Sequence, residues 1–491
     1  ALLHAGEALG ASNPKQAVKW YRKAAEIGYA SAQWNLARHL RSGEGVTPDE
    51  EEAIDWTKKA AEQGVAAAQN NMGICCSEGR GMEADEPQAV EWFRKSAEQG
   101  QLQAQFNLAV RLRDGRGVET DLDGAHNFFL MAAERGMVGA QFALANMCAN
   151  GEGGNEDEQA ATKWYRKAAE QNHAFAQYNL ALRLVEGLGT EEDPAQAMEW
   201  YKKAAEKNCV RAQYNLGRNL LEGEGEAAGG ATAIHWLKQA AGTDHTEAQY
   251  LLGKTFDEGI RTDPDPAEAM RWFRMAAEGG KAEAQFALAV SLERGEGCVT
   301  DLEKAVNWYT LAAEQGHASA QFNLAGMYAR GRGIMANDEK AVYYFQLAAE
   351  QAVASAQCNL GAMCEQGRGT EQNYSSAMRW YELAADQGLC RAQYNLAVML
   401  HAGRGVETDL KEAAIWYRQA AKQGHAAAQY ALARIFLHGD GMDLDEEKAA
   451  KWFKLAAEQD VPEAQLILAD SYLRGRGVPE DFVLAYVWFN R

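Results

Sequence analysis

Apolar and small residues recur along this chain in two alternating registers, and each register describes one face of a helix. In Lys304–Gly333 the first register is Ala305, Trp308, Tyr309, Ala312 and Ala313, spaced i, i+3, i+4, i+7 and i+8. The second is Ala320, Leu324 and Tyr328, spaced by four. We term the helix that carries Ala320 helix A and the one that carries Ala305 helix B. The same pair of faces returns every 36 residues: Ala-Gln begins at 32, 68, 104 and onward to 464, thirteen times without a slip. The helix-B alanines, Ala17 to Ala485, keep the same period. Each is followed three positions later by Trp, or by Phe128 or Tyr344. Internal repetition at this period predicts an all-α array of helix-turn-helix units. On sequence alone, the small residues let the helices approach closely and the Trp fills the space left between them.

Polar punctuation supports the same boundaries. Four residues before each helix-B Ala stands Asp or Asn, thirteen times in fourteen, with Gly229 the exception. These side chains accept hydrogen bonds from the free N–H groups of a first helical turn, and Gly is also tolerated there. Helix B ends in E-Q-G-like triplets whose third residue, as at Gly28, Gly64, Asn172, Asn208 and Gly316, suits a left-handed terminating position. Helix A ends in G-x-G from Gly43/Gly45 to Gly475/Gly477, and only Arg261 replaces the second glycine.

The pattern A-x-W-Y-x-x-A-A-E-Q-G-x-x-x-A-Q-Y-N-L-G-x-x-Y-x-x-G-x-G-V-x-x-D resembles the Sel1-like repeat, a relative of the tetratricopeptide repeat, over nearly the whole chain. The resemblance implies a right-handed α/α superhelical solenoid of about thirteen 36-residue units, with A helices lining a concave face. It also implies a role as adaptor or scaffold in multiprotein assemblies. The expected organisation is a partial repeat at 1–28, a continuous solenoid at 29–464 and a shortened final repeat at 465–491. Both ends read as cut: the chain opens at Ala1 and closes inside a helix B. The irregular stretches are the N-terminal loop around Gly6 and Gly10, and 223–266, where Gly229, Gly242-Thr243-Asp244 and Arg261 depart from the pattern.

By analogy with tetratricopeptide folds, groove contacts fall one, two and five residues after Ala-Gln. The first row holds Trp34, Phe106, Phe142, Tyr178, Tyr214, Tyr250, Phe286, Phe322, Tyr394 and Tyr430, so ten of its thirteen positions are aromatic. The second holds Asn35, Asn71, Asn107, Asn179, Asn215, Asn323, Asn359 and Asn395. Rings beside amides suit an extended peptide, the rings for its side chains and the amides for its backbone. The bland alternative has the rings packing between neighbouring A helices and each Asn bonding a nearby carbonyl. The third row varies, including Arg38, Asn146, Arg218, Lys254 and Arg434 among Val, Leu and Ile. On the outer flank, three residues after the helix-B Trp, early units carry Lys23, Lys59, Lys95, Lys167 and Lys203. Later ones carry Met275, Leu311, Leu347, Leu383 and Leu455, either an apolar contact strip or packing for the Trp.

Composition narrows the function classes. A net charge of −20 argues against nucleic acid and anionic membranes. Part of the charge forms a row near the helix-B end, with bases four residues earlier such as Arg22 before Glu26. No stretch has transmembrane length and apolarity. The eight cysteines show no disulfide framework; Cys76, Cys148 and Cys364 occupy one repeat position and read as buried apolar residues. Unpaired cysteines favour a reducing compartment, and a periplasmic or luminal home stays open. His173, His317 and His425 share one inter-helix position too far apart for a common metal, G-x-G lacks the strand and G-K-[ST] of a phosphate loop, and no nucleophile–base–orienter set is present. The expectation is a protein-binding scaffold without catalysis, metal or cofactor. The alternatives are a structural subunit of a tube, filament or large assembly, and an inhibitor or immunity protein that wraps an effector.

Overall fold

The computed structural model describes residues 13–223 and 228–491, the side chain of Ala228 excepted. The stretch around Gly6 and Gly10 lies outside the described residues, as does 224–227. The chain divides into two compact units, Ala1–Gly223 and Glu224–Arg491. Each is a run of helix pairs, with no strand among the described residues. In each unit a helix packs chiefly on the helices before and after it in sequence, which is the packing of a helix-pair solenoid.

The predicted punctuation is where the helices begin and end. The N-cap carboxylates and amides accept from the backbone N–H three residues on, as Asp301 does from Lys304 at 3.0 Å and Asn373 from Ser376 at 2.9 Å. The residue ending each E-Q-G triplet is left-handed, including the non-glycines Asn172, Asn208, Asp244, Ala352 and Asp460. Gly229 departs from the expectation. The helix there starts at Ala228, so Gly229 lies in its first turn and caps nothing.

The core differs from the sequence reading in one respect. The residue that fills the space between helices is the one after the Trp: Tyr21, Phe93, Phe129, Tyr201, Tyr309, Phe345, Tyr381 and Phe453 are all buried. Most of the Trp residues are half-buried at the helix-B edge, although Trp164, Trp272 and Trp488 are buried. In the first unit the lysines of the outer flank lie over those indole rings. Lys59, Lys167 and Lys203 stand 4.1, 4.1 and 4.0 Å from the ring centroids of Trp56, Trp164 and Trp200, a cation–π arrangement.

The Ala-Gln glutamine explains its own recurrence. Gln321 is buried; its Nε2 donates to the Ala313 carbonyl at the end of the preceding helix B, 3.1 Å away. Its Oε1 accepts from Gln351 Nε2, at the end of the following helix B, at 2.8 Å. The first bond recurs at every Ala-Gln from Gln33 to Gln465, spanning 3.1–3.5 Å. The second recurs wherever the E-Q-G glutamine is present, at 2.6–2.8 Å. Position 30 residues after Gln105, Gln177 and Gln249 is instead Arg135, Lys207 and Gly279, and the Oε1 of each of these three glutamines is buried with no donor.

The second glycine of G-x-G meets the first turn of the preceding helix B. A Cβ on Gly297 would stand 2.2 Å from the Pro266 carbonyl oxygen, and one on Gly369 would stand 2.2 Å from that of Asp338. Arg261 occupies this position with a φ of 55°, in the left-handed region. Its Cβ fits because the residue it faces is Gly230, where a Cβ would lie 2.3 Å from the Arg261 carbonyl oxygen and 3.1 Å from its Cβ. The glycine has moved to the other side of the contact. Gly230→Ala should therefore cost about 1–3 kcal/mol, the scale of overpacking. Arg261→Gly alone should be stabilising by ~1–2 kcal/mol, because it relieves a left-handed L-residue. Calorimetric melting of the two single variants and the double variant checks the pairing: Arg261→Gly removes the Cβ contact and frees the backbone that carries the carbonyl, so it should recover part of the Gly230→Ala loss, and strictly additive effects would contradict it.

Candidate functional site

The A-helix face is built from the three rows, and the structure places them unequally. The aromatic row is half-buried, and eight of its ten rings pack, tilted or edge-on, against the buried aromatic of the next helix B. Phe106 meets Phe129 at 5.7 Å between centroids, Phe286 meets Tyr309 at 5.9 Å, Phe322 meets Phe345 at 5.8 Å and Tyr394 meets Tyr417 at 5.9 Å. Phe142, Tyr178, Tyr250 and Tyr430 pair in the same way with Tyr165, Tyr201, Phe273 and Phe453. The covering ring thus comes from helix B, where the sequence suggested a neighbouring helix A. Trp34 and Tyr214 are half-buried like the rest of the row.

The amide row is tied to its surroundings. Asn107 Nδ2 donates to Asn70 Oδ1 at 3.1 Å, Asn323 Nδ2 donates to the Tyr309 hydroxyl at 3.1 Å, and Asn359 Oδ1 accepts from Arg391. Asn35, Asn71, Asn179 and Asn395 are half-buried, whereas Asn215 is buried at 7 % exposure. In the variable row Arg38 and Arg434 are exposed, and Arg218, Lys254 and Asn146 are half-buried. Asn146 Oδ1 accepts from the Tyr165 hydroxyl at 2.5 Å.

Two braces on this face were not visible in the sequence. Tyr309 donates its hydroxyl to Glu293 Oε2 at 2.8 Å while Arg332 pairs with Glu293 Oε1 at 3.1 Å. One double repeat later, Tyr381 donates to Glu365 at 2.9 Å and Arg404 pairs with Glu365 at 3.1 Å. Burial, with the adjacent carboxylate, raises both phenols above the ordinary tyrosine range, and burial chiefly pushes Tyr165 up to about 12 against a hydrogen bond with Asn179. These phenols are hydrogen-bond donors at any physiological pH. Between the two braces the variable row holds Gly326, and there the face opens into a cavity of about 90 Å³ lined by Glu293, Phe322, Asn323, Met327, Arg330, Arg332 and Asn359.

The helix-B side carries larger clefts beside Trp164, Trp308 and Trp452, of about 310, 460 and 520 Å³. Near them the apolar flank of the second unit is partly open: Leu311, Leu383 and Leu455 are 44 %, 40 % and 42 % exposed, and Met275 and Leu347 are half-buried. Val299 and Met335 are each 88 % exposed at a loop position that is acidic in most other repeats. Arg22, which the sequence pairs with Glu26, forms its ion pair with Glu52 of the next helix B. Every cysteine is free. Among the described residues no group of three or more His, Cys, Asp or Glu side chains is placed to hold a metal ion, and no helix is long and apolar enough to cross a membrane.

The Sel1 repeat family model matches fourteen consecutive segments, beginning with 2–29, 30–65 and 66–101 and ending with 426–461 and 462–491. Two solved structures are similar over much of their length. The chain is 32 % identical to c5321, a protective antigen present in uropathogenic Escherichia coli strains, covering 96 % of this chain and 94 % of that one with a TM-score of 0.58. It is 31 % identical to a Sel1 repeat protein from Oxalobacter formigenes, covering 63 % and 88 % with a TM-score of 0.51. An immunity protein of Pseudomonas aeruginosa, Pa5087, is 21 % identical over 43 % of this chain and 81 % of that one, with a TM-score of 0.26. Among curated proteins none matches.

Histidine recurs at one turn position, as His173, His245, His317 and His425, and at the first, third and fourth of these burial makes the inter-repeat turn sensitive to pH. His173, His317 and His425 stack on Phe142, Phe286 and Tyr394 at 4.5, 4.6 and 4.5 Å between centroids. Each accepts through Nδ1 from the N–H of Ala176, Ala320 or Ala428, at 3.2 Å in every case. Burial lowers all three imidazoles below their ordinary value, against a weaker opposing pull from Glu283 on His317. The folded state therefore holds the neutral ring, so this contribution is complete above the unfolded value near 6.5 and is lost as pH falls through the lower folded value. Replacing all three with Asn keeps a capping acceptor and removes the titration. The melting temperature of that variant should fall less between pH 7.5 and 5 than that of the parent, and an equal or steeper fall would show that the three rings are not responsible.

Proposed function

The chain belongs to the Sel1 repeat family, and from that premise we propose that it is a non-catalytic scaffold holding an extended segment of a partner protein along its A-helix face. Sel1 repeat proteins are generally protein-interaction scaffolds, and the fold is typically without catalysis. The observation that carries the finer reading is the half-covered aromatic row. Eight of the ten rings pack against a helix-B aromatic, and at Phe142, Phe286 and Tyr394 the turn histidine stacks on the ring as well, so these half-buried side chains offer their remaining exposed surface without further ordering. Tethered amides stand beside the rings, and the variable row supplies Val290, Gly326, Ala362 and Val398 in the second unit, a surface on which apolar side chains of a peptide can lie.

The variable row also supplies the test. Lys254, Arg218 and Arg434 occupy the same repeat position as Val290 and Val398, so Val290→Lys and Val398→Lys are compatible with the fold. Crosslinking mass spectrometry in native extract should show links from Lys254 to one foreign protein, weakened at least tenfold in the double variant. Undiminished links would remove the A-helix face as the docking site. Links confined to copies of this chain would replace the scaffold reading with that of a structural subunit.

A further inference from the structure

We infer that the cavity at Gly326 takes the carboxylate of an Asp or Glu side chain in the bound peptide; the inference rests on the groove reading above and adds the chemistry of one contact. The cavity exists because one residue of the variable row lacks a side chain. Where Val290 and Val398 fill the equivalent space, a Cβ on Gly326 would meet nothing nearer than Arg330 Nη1 at 3.7 Å. The guanidinium of Arg330 thus lies over the open backbone.

Charge settles what that space can accept. Glu293 also lines the cavity, but both of its oxygens are engaged, Oε1 by Arg332 and Oε2 by the Tyr309 hydroxyl, and its charge is balanced by Arg332. Among the described residues Arg330 forms no ion pair, so the residues lining the cavity leave one positive charge uncompensated in a chain of net charge −20. Asn359 contributes in the same sense. Its Oδ1 is held by Arg391, so its Nδ2 is the atom left to donate. A guanidinium and an amide N–H₂ facing one small space are matched by an acceptor with two oxygens, and a guanidinium binds a carboxylate through parallel hydrogen bonds. At about 90 Å³, floored by Phe322, the space holds a short side chain and excludes an aromatic one. The acceptor is assigned to a side chain because Gly326 lies in the middle of the helix Ala318–Arg330, on a face that continues to Phe286 on one side and Tyr394 on the other. A peptide passes over this point and does not end there.

The test is selection of a random 12-residue peptide library, fused to its carrier at the C-terminus, on the full chain and on the variants Gly326→Val and Arg330→Gln. Gly326→Val places in this repeat the residue that three others, Val110, Val290 and Val398, already carry, and circular dichroism confirms that both variants fold. The expected result is enrichment of Asp or Glu at one position on the parent, reduced at least tenfold on each variant while the apolar positions of the selected peptides persist. Enrichment with no acidic position, or an acidic preference unchanged in both variants, overturns this inference and leaves the groove reading standing. No enrichment on the parent overturns both.

Discussion

Everything in this architecture depends on what happens to the carbonyl groups at the end of helix B. A helix terminus leaves carbonyls without intrahelical partners, and here that terminus is buried against the next helix A. The N–H of the residue ending the A-A-E-Q-G segment bonds the second Ala, as Gly316 does Ala313 at 3.0 Å, and the Ala-Gln side chain supplies a second partner by reaching back eight residues, as Gln321 does to Ala313. Its own carbonyl oxygen then needs a donor, supplied from the end of the following helix B. Three successive helices are therefore joined at one side chain. A net hydrogen bond contributes only about 0.5–1.5 kcal/mol, but a buried group left unbonded costs about 1–3 kcal/mol. An apolar replacement forfeits both side-chain bonds at once and leaves the carbonyl with its turn bond alone, which accords with thirteen glutamines at one position. The neighbouring alanine is set by sterics: Ala32, Ala104 and Ala320 are fully buried where the helices touch.

With spacing and register fixed on the buried side, the exposed positions are free to differ. The aromatic row is the boundary between the two regimes, since its rings are half-buried, packed on the core and partly open to solvent. The residues beyond it vary from Arg38 to Gly326 to Asp470 without disturbing a helix. The Glu293–Tyr309–Arg332 and Glu365–Tyr381–Arg404 braces sit on that boundary as well, each tying one A helix to the next repeat, and Glu293 and Arg332 of the first line the cavity at Gly326. A rigid face with a changing lining is the physical basis for recognition by a solenoid.

What was legible in the sequence was local. Helix starts at Asp301 or Asn373 and left-handed ends at Gly316 or Asn172 depend on neighbours within four residues, so spacing along the chain reveals them. The role of the Ala-Gln glutamine is not local: its partners lie 8 and 30 residues away, and recurrence marks its importance without saying what it bonds. The same distance hid the exchange between Gly230 and Arg261, which reads as two unrelated irregularities until the loop is seen against the helix start. The preference for Trp as the core residue followed from its size. The structure places the Tyr or Phe beside it inward and leaves most of the indoles at the edge, where the lysine three residues on can cover them. The candidate groove rows were legible as positions; which of them open a cavity was not, because that follows from a missing side chain at Gly326 and from how its neighbours pair.

Hydrogen exchange measured repeat by repeat on the unmodified chain tests the ladder most directly. In the first unit the glutamine rung is complete at Gln69 and Gln141 and absent at Gln105 and Gln177. Opening free energies should follow that order, with the repeats at 66–101 and 138–173 protected by about 1 kcal/mol or more beyond those at 102–137 and 174–209. Protection that changes smoothly from one repeat to the next, with no drop where the rung is missing, would contradict the claim that these side chains hold the array together.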